Sequence, residues 1–225
     1  NGEIIMNVVK SRSINDRDMK RIGRFIEKNL GVRMPATKKI FLESRLSKRL
    51  MALNFKEYEE YFIYLMSEEG RSNELTRFID LVTTHETRFF REPSHFNYLH
   101  NKILPEIART LSGNKKIRIL SSACSTGEEV YSIAITIEEF KRTLEGESLK
   151  YEIIGTDISE ASIAAARNAV YTRGRVGKIP VRMLHEYFLK SLKKDCTKVR
   201  VTPEIRKNVE FNKLNLMEDK YSFSE

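Results

Sequence analysis

The chain has 225 residues, with 40 Lys and Arg against 31 Asp and Glu, a formal net charge of +9 and a pI near 9.5. That length, with 40% hydrophobic residues, suffices for one large domain or two small ones. The longest apolar runs are too short to cross a bilayer and no secretory signal opens the chain, which argues against membrane insertion and export.

Residues 1 to about 85 read as helices, from a chain that opens on Asn1 and so suggests a trimmed start. Asn15 or Ser13 can cap a first helix that lines up Met19, Ile22, Ile26 and Leu30, and Gly31 ends it. After Pro35 a second helix carries the stripe Leu42, Leu46, Leu50 and Leu53, with Lys38, Arg45 and Arg49 along its edge. A third helix covers Tyr58–Met66 and is stopped by Gly70; a fourth covers Leu75–Val82. Beyond Pro93, a helix from Ser94 to about Leu111 leads to a Gly113-Asn114 turn. Strand Ile117–Ser121, helix Glu128–Phe140, a turn near Gly146, strand Tyr151–Asp157 and helix Ser159–Ala169 then alternate as in an α/β parallel sheet. A helix at about Val181–Leu192 follows, and Val199–Val201 and Val209–Asn212 read as short strands of an excursion from that sheet.

The positive charge sits in two stretches: Arg33–Arg49 carries net +5 and Arg173–Lys207 net +8. Such patches suit an acidic partner, nucleic acid or an acidic helix bundle, or else form a solvated face. Two cysteines far apart, Cys124 and Cys196, fit reduced thiols in a cytosol, and four histidines without ligand spacing argue against a metal site.

The segment SSACSTGEEVYSIAI, Ser121–Ile135, joins a buried strand to a helix through small residues. Gly127 and its small neighbours let the backbone approach a ligand closely. Glu128 and Glu129 at the helix start disfavour a phosphate and suit hydroxyls or positive charge. Asp157 ends the second strand, where an acid takes ribose hydroxyls or caps the next helix. Neither G-x-G-x-x-G nor G-K-[ST] is present, which leaves a nucleoside without polyphosphate, namely S-adenosylmethionine. Cys124 reads as a space-filling residue rather than a nucleophile. In TTHETRFFREPSHF, Thr83–Phe96, Arg88 and Arg91 can hold a carboxylate, and Phe89-Phe90 can wall an adenine or join the core.

These two motifs, with GTDISEASIAAARNAVY and VEFNKLNL in the same order, closely resemble the CheR family of chemotaxis-receptor methyltransferases, from about Ile14 to Leu216. The resemblance implies an α/β protein: an N-terminal helical domain over 1–85, then a doubly wound, Rossmann-like methyltransferase domain over 86–225 with a small β-subdomain within about 173–212. It implies transfer of a methyl group from S-adenosylmethionine, leaving S-adenosylhomocysteine, to glutamate side chains on the cytoplasmic helices of chemoreceptors. The implied enzyme is a cytoplasmic monomer with no nucleic-acid partner. By position, His85, Thr87, Arg91, Glu129, Asp157, Asn215 and Leu216 would contact the cofactor, and Lys38, Arg45, Lys48 and Arg49 would face the receptor. Three departures stand out: His85 where the family usually has Asn, Val130 where it has Pro, and a chain that stops at Glu225 before the family's closing strands, so that the sheet is expected to be incomplete at the C-terminus. A glutamate nucleophile is ionised at neutral pH, with a reference pKa of about 4.3, so no general base is assigned. Arg91 is the candidate to orient the incoming carboxylate. The alternative is a non-catalytic cofactor- or receptor-binding module of the same fold; an RNA methyltransferase fits less well, for want of a base-stacking platform.

Overall fold

The computed structural model describes residues 13–110, 116–144, 149–191 and 197–221. The turns expected at Gly113-Asn114 and near Gly146, and Cys196, lie outside them. The described residues divide into two compact units, one running to Thr84 and including Leu216–Lys220, the other comprising His85–Asn215 with Tyr221.

The first unit is helical: α1 (Asp16–Leu30), a single 3₁₀ turn (Ala36–Lys38), α2 (Lys39–Ala52), α3 (Tyr58–Met66), α4 (Glu68–Asn73) and α5 (Leu75–Val82). Asn15 caps α1 by accepting from the Asp18 N–H at 2.8 Å, and Gly31 closes it in the left-handed region at φ 66°. Leu42, Leu46 and Leu50 of α2 are fully buried against Ile22, Ile26, Tyr58, Tyr61 and Phe78. At this packing density, truncating one such leucine costs about 2–5 kcal/mol.

One expectation is corrected in this unit. Gly70 does not stop α3 but lies inside a further helix, α4, capped by Ser67. A Cβ on Gly70 would stand 1.9 Å from the Tyr64 carbonyl oxygen, so the missing side chain permits a close approach of α4 to the end of α3. Arg49, expected on the receptor-facing edge, is 27% exposed and also ties the fold together. Its guanidinium makes a two-pronged bond to Glu74, Nε to Oε1 at 2.8 Å and Nη2 to Oε2 at 2.5 Å, and the Tyr61 hydroxyl donates to the same carboxylate at 2.9 Å. Glu74 is 1% exposed, so Arg49 supplies the charge that makes its burial tolerable. The hydrogen bond to Glu74, against burial, raises the Arg49 pKa, and burial followed by the Glu74 charge raises that of Tyr61. Lys38, Arg45 and Lys48 remain exposed, Lys38 at the end of the 3₁₀ turn and Arg45 over the Phe41 ring.

The second unit begins with α6 (Pro93–Tyr98), a π-helical turn (Leu99–Ile103) and α7 (Leu104–Thr110). There follow β1 (Lys116–Ser122), α8 (Glu128–Lys141), β2 (Lys150–Asp157), α9 (Glu160–Asn168), β3 (Val170–Thr172), α10 (Arg173–Val176), α11 (Val181–Tyr187), β4 (Phe188–Lys190), β5 (Lys198–Val201), α12 (Pro203–Arg206) and β6 (Val209–Lys213). The parallel sheet has the order β1-β2-β6, in register Ser121↔Gly155↔Phe211. A Cβ on Gly155 would meet the Phe211 ring at 2.7 Å and Val130 of α8 at 2.9 Å, so this face of the sheet admits no extra atom under its helix.

A second, antiparallel sheet has the order β3-β5-β4. Here the expected helix to Leu192 ends at Tyr187, and Phe188–Lys190 becomes β4, extended by pairing with β5. The antiparallel sheet begins at Val170. Val209–Asn212 is not part of it: as β6 it returns to the parallel sheet beside β2.

Replacing Arg49 by Met leaves Glu74 buried and unpaired and is expected to destabilise the helical unit by about 3 kcal/mol. Arg45→Ser is expected to stay within about 0.5 kcal/mol of the parent. Urea unfolding checks both; equal stability of the two variants would contradict the structural role of Arg49.

Candidate active site

The loop between β1 and α8 has an unusual backbone. Ala123, Ser125 and Gly127 take positive φ, at 57°, 51° and 89°. In the segment before α6, Phe90 and Glu92 on either side of Arg91 do the same, at 51° and 55°. Four of the six non-glycine residues with positive φ among the described residues thus lie in these two segments. Each such residue costs about 1–3 kcal/mol and persists only where its surroundings determine it.

The Phe90 N–H is held by the Ser132 hydroxyl at 2.9 Å, and around the loop those surroundings centre on Asp157. One of its oxygens accepts the Ser125 N–H at 2.7 Å and the other the Ser159 N–H at 2.9 Å. Its own carbonyl accepts the Leu214 N–H at 3.0 Å, and the neighbouring Thr156 carbonyl accepts the Cys124 N–H at 2.8 Å. Asp157 is buried, at the carboxyl ends of β2 and β6, and joins three chain segments there. It also helps to start α9 through Ser159, so the ligand and cap readings of this residue are not exclusive. Each carboxylate oxygen has a second lone pair available to a hydroxyl.

The two glutamates that open α8 differ sharply. Glu128 is fully buried, ion-paired with Arg175 of α10 and bonded by the Thr126 hydroxyl at 2.6 Å. Glu129 is exposed, and the Ser121 hydroxyl donates to its Oε1 at 2.8 Å. Gly127 also serves packing: a Cβ there would meet Ala166 of α9 at 2.9 Å. Ser122 and Ala123 are the exposed residues of the loop.

His85 and Thr87 are half-buried in the segment before α6. The His85 carbonyl accepts from the Ser125 hydroxyl at 3.1 Å and its Nδ1 lies 3.0 Å from the Ser162 hydroxyl, which fastens this segment to the loop and to α9. Arg91 is exposed, with one guanidinium nitrogen donating to the Glu86 carbonyl at 3.2 Å. Arg91 and Glu129 line one groove of about 470 Å³ with His95, Phe96, Ile119 and Ile133. Asn215 is half-buried two residues past β6, next to the Leu214 bond to Asp157, whereas Leu216 is exposed and groups with the helical unit. Phe89 is a core residue, edge-on to Tyr171 and Phe188, and Phe90 packs on Phe96.

Cys124 is buried, and burial with the nearby Asp157 pushes its thiol up to about 12. It is therefore protonated, not nucleophilic, at neutral pH.

Residues 85–225 match the family model described as CheR methyltransferase, SAM binding domain, and residues 17–83 match CheR methyltransferase, all-alpha domain. The chain belongs to the CheR methyltransferase family. Its relatives include the chemotaxis protein methyltransferase of Borreliella burgdorferi, 36% identical over 214 residues, which are 94% of this chain and 74% of that protein. Chemotaxis protein methyltransferase 2 of Pseudomonas aeruginosa is 34% identical over 92% of this chain and 70% of its own length. The Escherichia coli chemotaxis protein methyltransferase is 30% identical over 97% of this chain and 73% of its own length. S-adenosylmethionine is the methyl donor of this CheR protein. The donor set fits it: an exposed carboxylate with spare acceptor capacity at Glu129, lone pairs on Asp157, and a helix start that carries acids where a phosphate would need bare N–H groups.

With Cys196 replaced by Ser, the native protein at pH 8 is expected to leave a disulfide reagent uncoloured and to react fully once unfolded. Rapid colour from the native protein would contradict the burial of Cys124.

Proposed function

We propose that this CheR protein methylates glutamate side chains of chemoreceptors in the cytoplasm. The observation that carries the reading is the groove lined by both Arg91 and Glu129, along β1 between α8 and the helices α6 and α7: it offers a cation for a carboxylate and an anion for a positively charged donor.

In this reading Glu129 and Asp157 hold the hydroxyl-bearing and positive parts of the methyl donor, and His85, Thr87, Arg91 and Asn215 complete its contacts. S-adenosylmethionine supplies an electrophilic methyl group on a sulfonium. The receptor glutamate arrives ionised, so the chain need supply no base; Arg91 orients the carboxylate through its planar fork. The left-handed residues on either side of Arg91 fix the direction from which that fork is presented. Partial exclusion of water then strengthens the attraction of two opposite charges that cancel as the methyl moves.

Lys38, Arg45 and Lys48, exposed on the helical unit, are proposed to meet the acidic face of the receptor helix. Arg49, on the same helix and 27% exposed, is paired with Glu74 and has less freedom to join them. Charge complementarity of this kind acts on encounter and register more than on the chemical step.

Incubation with radiolabelled S-adenosylmethionine and a cytoplasmic receptor fragment is expected to label the receptor, and mild alkali to release the label as methanol, as a methyl ester requires. Arg91→Ala is expected to lower the rate about 100-fold, the scale of a lost orienting contact. Alkali-stable label would refute the glutamate assignment, and near-normal turnover would remove Arg91 from the mechanism. Replacing Lys38, Arg45 and Lys48 together by Ser should slow receptor methylation at low salt, with the difference fading at high salt, while S-adenosylhomocysteine affinity stays unchanged. Equal loss of both would argue against docking.

A further inference from the structure

The strained loop between β1 and α8 is held on one side by Asp157, Thr156 and His85. On its other side the fixings come from the β-subdomain. The Tyr171 hydroxyl of β3 donates to the Thr126 carbonyl at 2.7 Å. Arg175 of α10 donates to the Thr126 hydroxyl at 3.0 Å and pairs with the fully buried Glu128. The Thr126 hydroxyl in turn donates to Glu128, so three side chains form one closed polar joint across the last loop residues before α8.

The joint is mounted rigidly. Tyr171 is paired with Val199 in the antiparallel sheet, and its ring lies edge-on to Phe89 and Tyr131. The first residue of α10, Arg173, donates its N–H to the Thr197 carbonyl at 2.8 Å, which anchors the short helix that carries Arg175. Glu128, at the first position of α8, and Glu129 are neighbours, so a shift of the first turn of α8 moves both.

We propose that Tyr171 and Arg175 are positioning residues for the methyl donor: the β-subdomain holds the loop and the first turn of α8 in the shape that presents Ser122, Ala123 and Glu129 to it. The inference rests on the reading that this loop and Glu129 form the donor site. Arg175 acts through Glu128, whose buried carboxylate needs a countercharge; without one, the first turn of α8 must move to reach water, and Glu129 moves with it. Tyr171 acts through Thr126 by a single hydrogen bond. Both residues act on the loop and the first turn of α8, so the effect falls on donor affinity and not on the rate at saturating donor.

The test is S-adenosylhomocysteine binding by calorimetry, with thermal unfolding measured alongside. Arg175→Met is expected to weaken binding about tenfold, or ~1.4 kcal/mol. The milder Tyr171→Phe keeps the ring packing, removes only the hydroxyl, and should weaken binding about threefold, in line with one neutral hydrogen bond. Adding Glu128→Gln to Arg175→Met removes the orphaned charge and should return affinity to within about threefold of the parent. Full affinity in both Arg175→Met and Tyr171→Phe would overturn the proposal. So would a loss in Arg175→Met that tracks the melting temperature and is not rescued by Glu128→Gln, because Arg175 would then only stabilise the fold. Failure of the unaltered chain to bind S-adenosylhomocysteine would sink the donor-site reading itself, and this inference with it.

Discussion

Much of the second unit hangs on the carboxylate of Asp157. It takes two backbone N–H groups from two different loops, while its own carbonyl takes a third from the strand end that leads to Asn215. A backbone with positive φ at Ala123 and Ser125 does not persist unaided. A charged acceptor buried at the strand end is the kind of group that can hold it, because hydrogen bonds to a charge are worth about 1.5–3 kcal/mol each, well above neutral ones. The loop and the start of α9 are thereby fixed by one side chain, and the exit of β6 by the backbone of the same residue.

The charges of this protein divide by burial rather than by residue type. Glu128 and Glu129 are adjacent, yet one turns into the protein to meet Arg175 and the other stays in solvent near Ser121. The same division separates Arg49, locked on Glu74, from Arg45 and Lys48 on the same helix. In each case the paired member stabilises an element, while its neighbour stays exposed. A +9 chain therefore offers fewer free cations to an acidic partner than its composition suggests.

Local chemistry was legible in the sequence. Asn15 and Gly31 bound α1 because caps act on the nearest backbone groups, and the leucines of α2 are buried because their spacing makes a stripe. The strand-loop-helix passage through Gly127 and the strand end at Asp157 were legible for the same reason. What the sequence hid was pairing at a distance. Nothing local marks Glu74 as the partner of Arg49, or Arg175 as the partner of Glu128, 47 residues away. Gly70 reads as a helix stop until the Tyr64 carbonyl is seen against it. Phe188–Lys190 continues a helical pattern and becomes a strand only because β5 offers it an edge, and Val209–Lys213 joins the parallel sheet through a register with β2 that periodicity cannot give.

The measurement that bears most directly on this account is donor-product binding by an Asp157→Asn variant, read by calorimetry together with amide hydrogen exchange over residues 121–128. The substitution keeps the shape but turns one acceptor into an NH₂ that faces a backbone N–H. Loss of S-adenosylhomocysteine affinity by at least about tenfold, together with faster exchange at Ser125, is the predicted result. Unchanged affinity with an unchanged exchange pattern would contradict the claim that Asp157 builds the site.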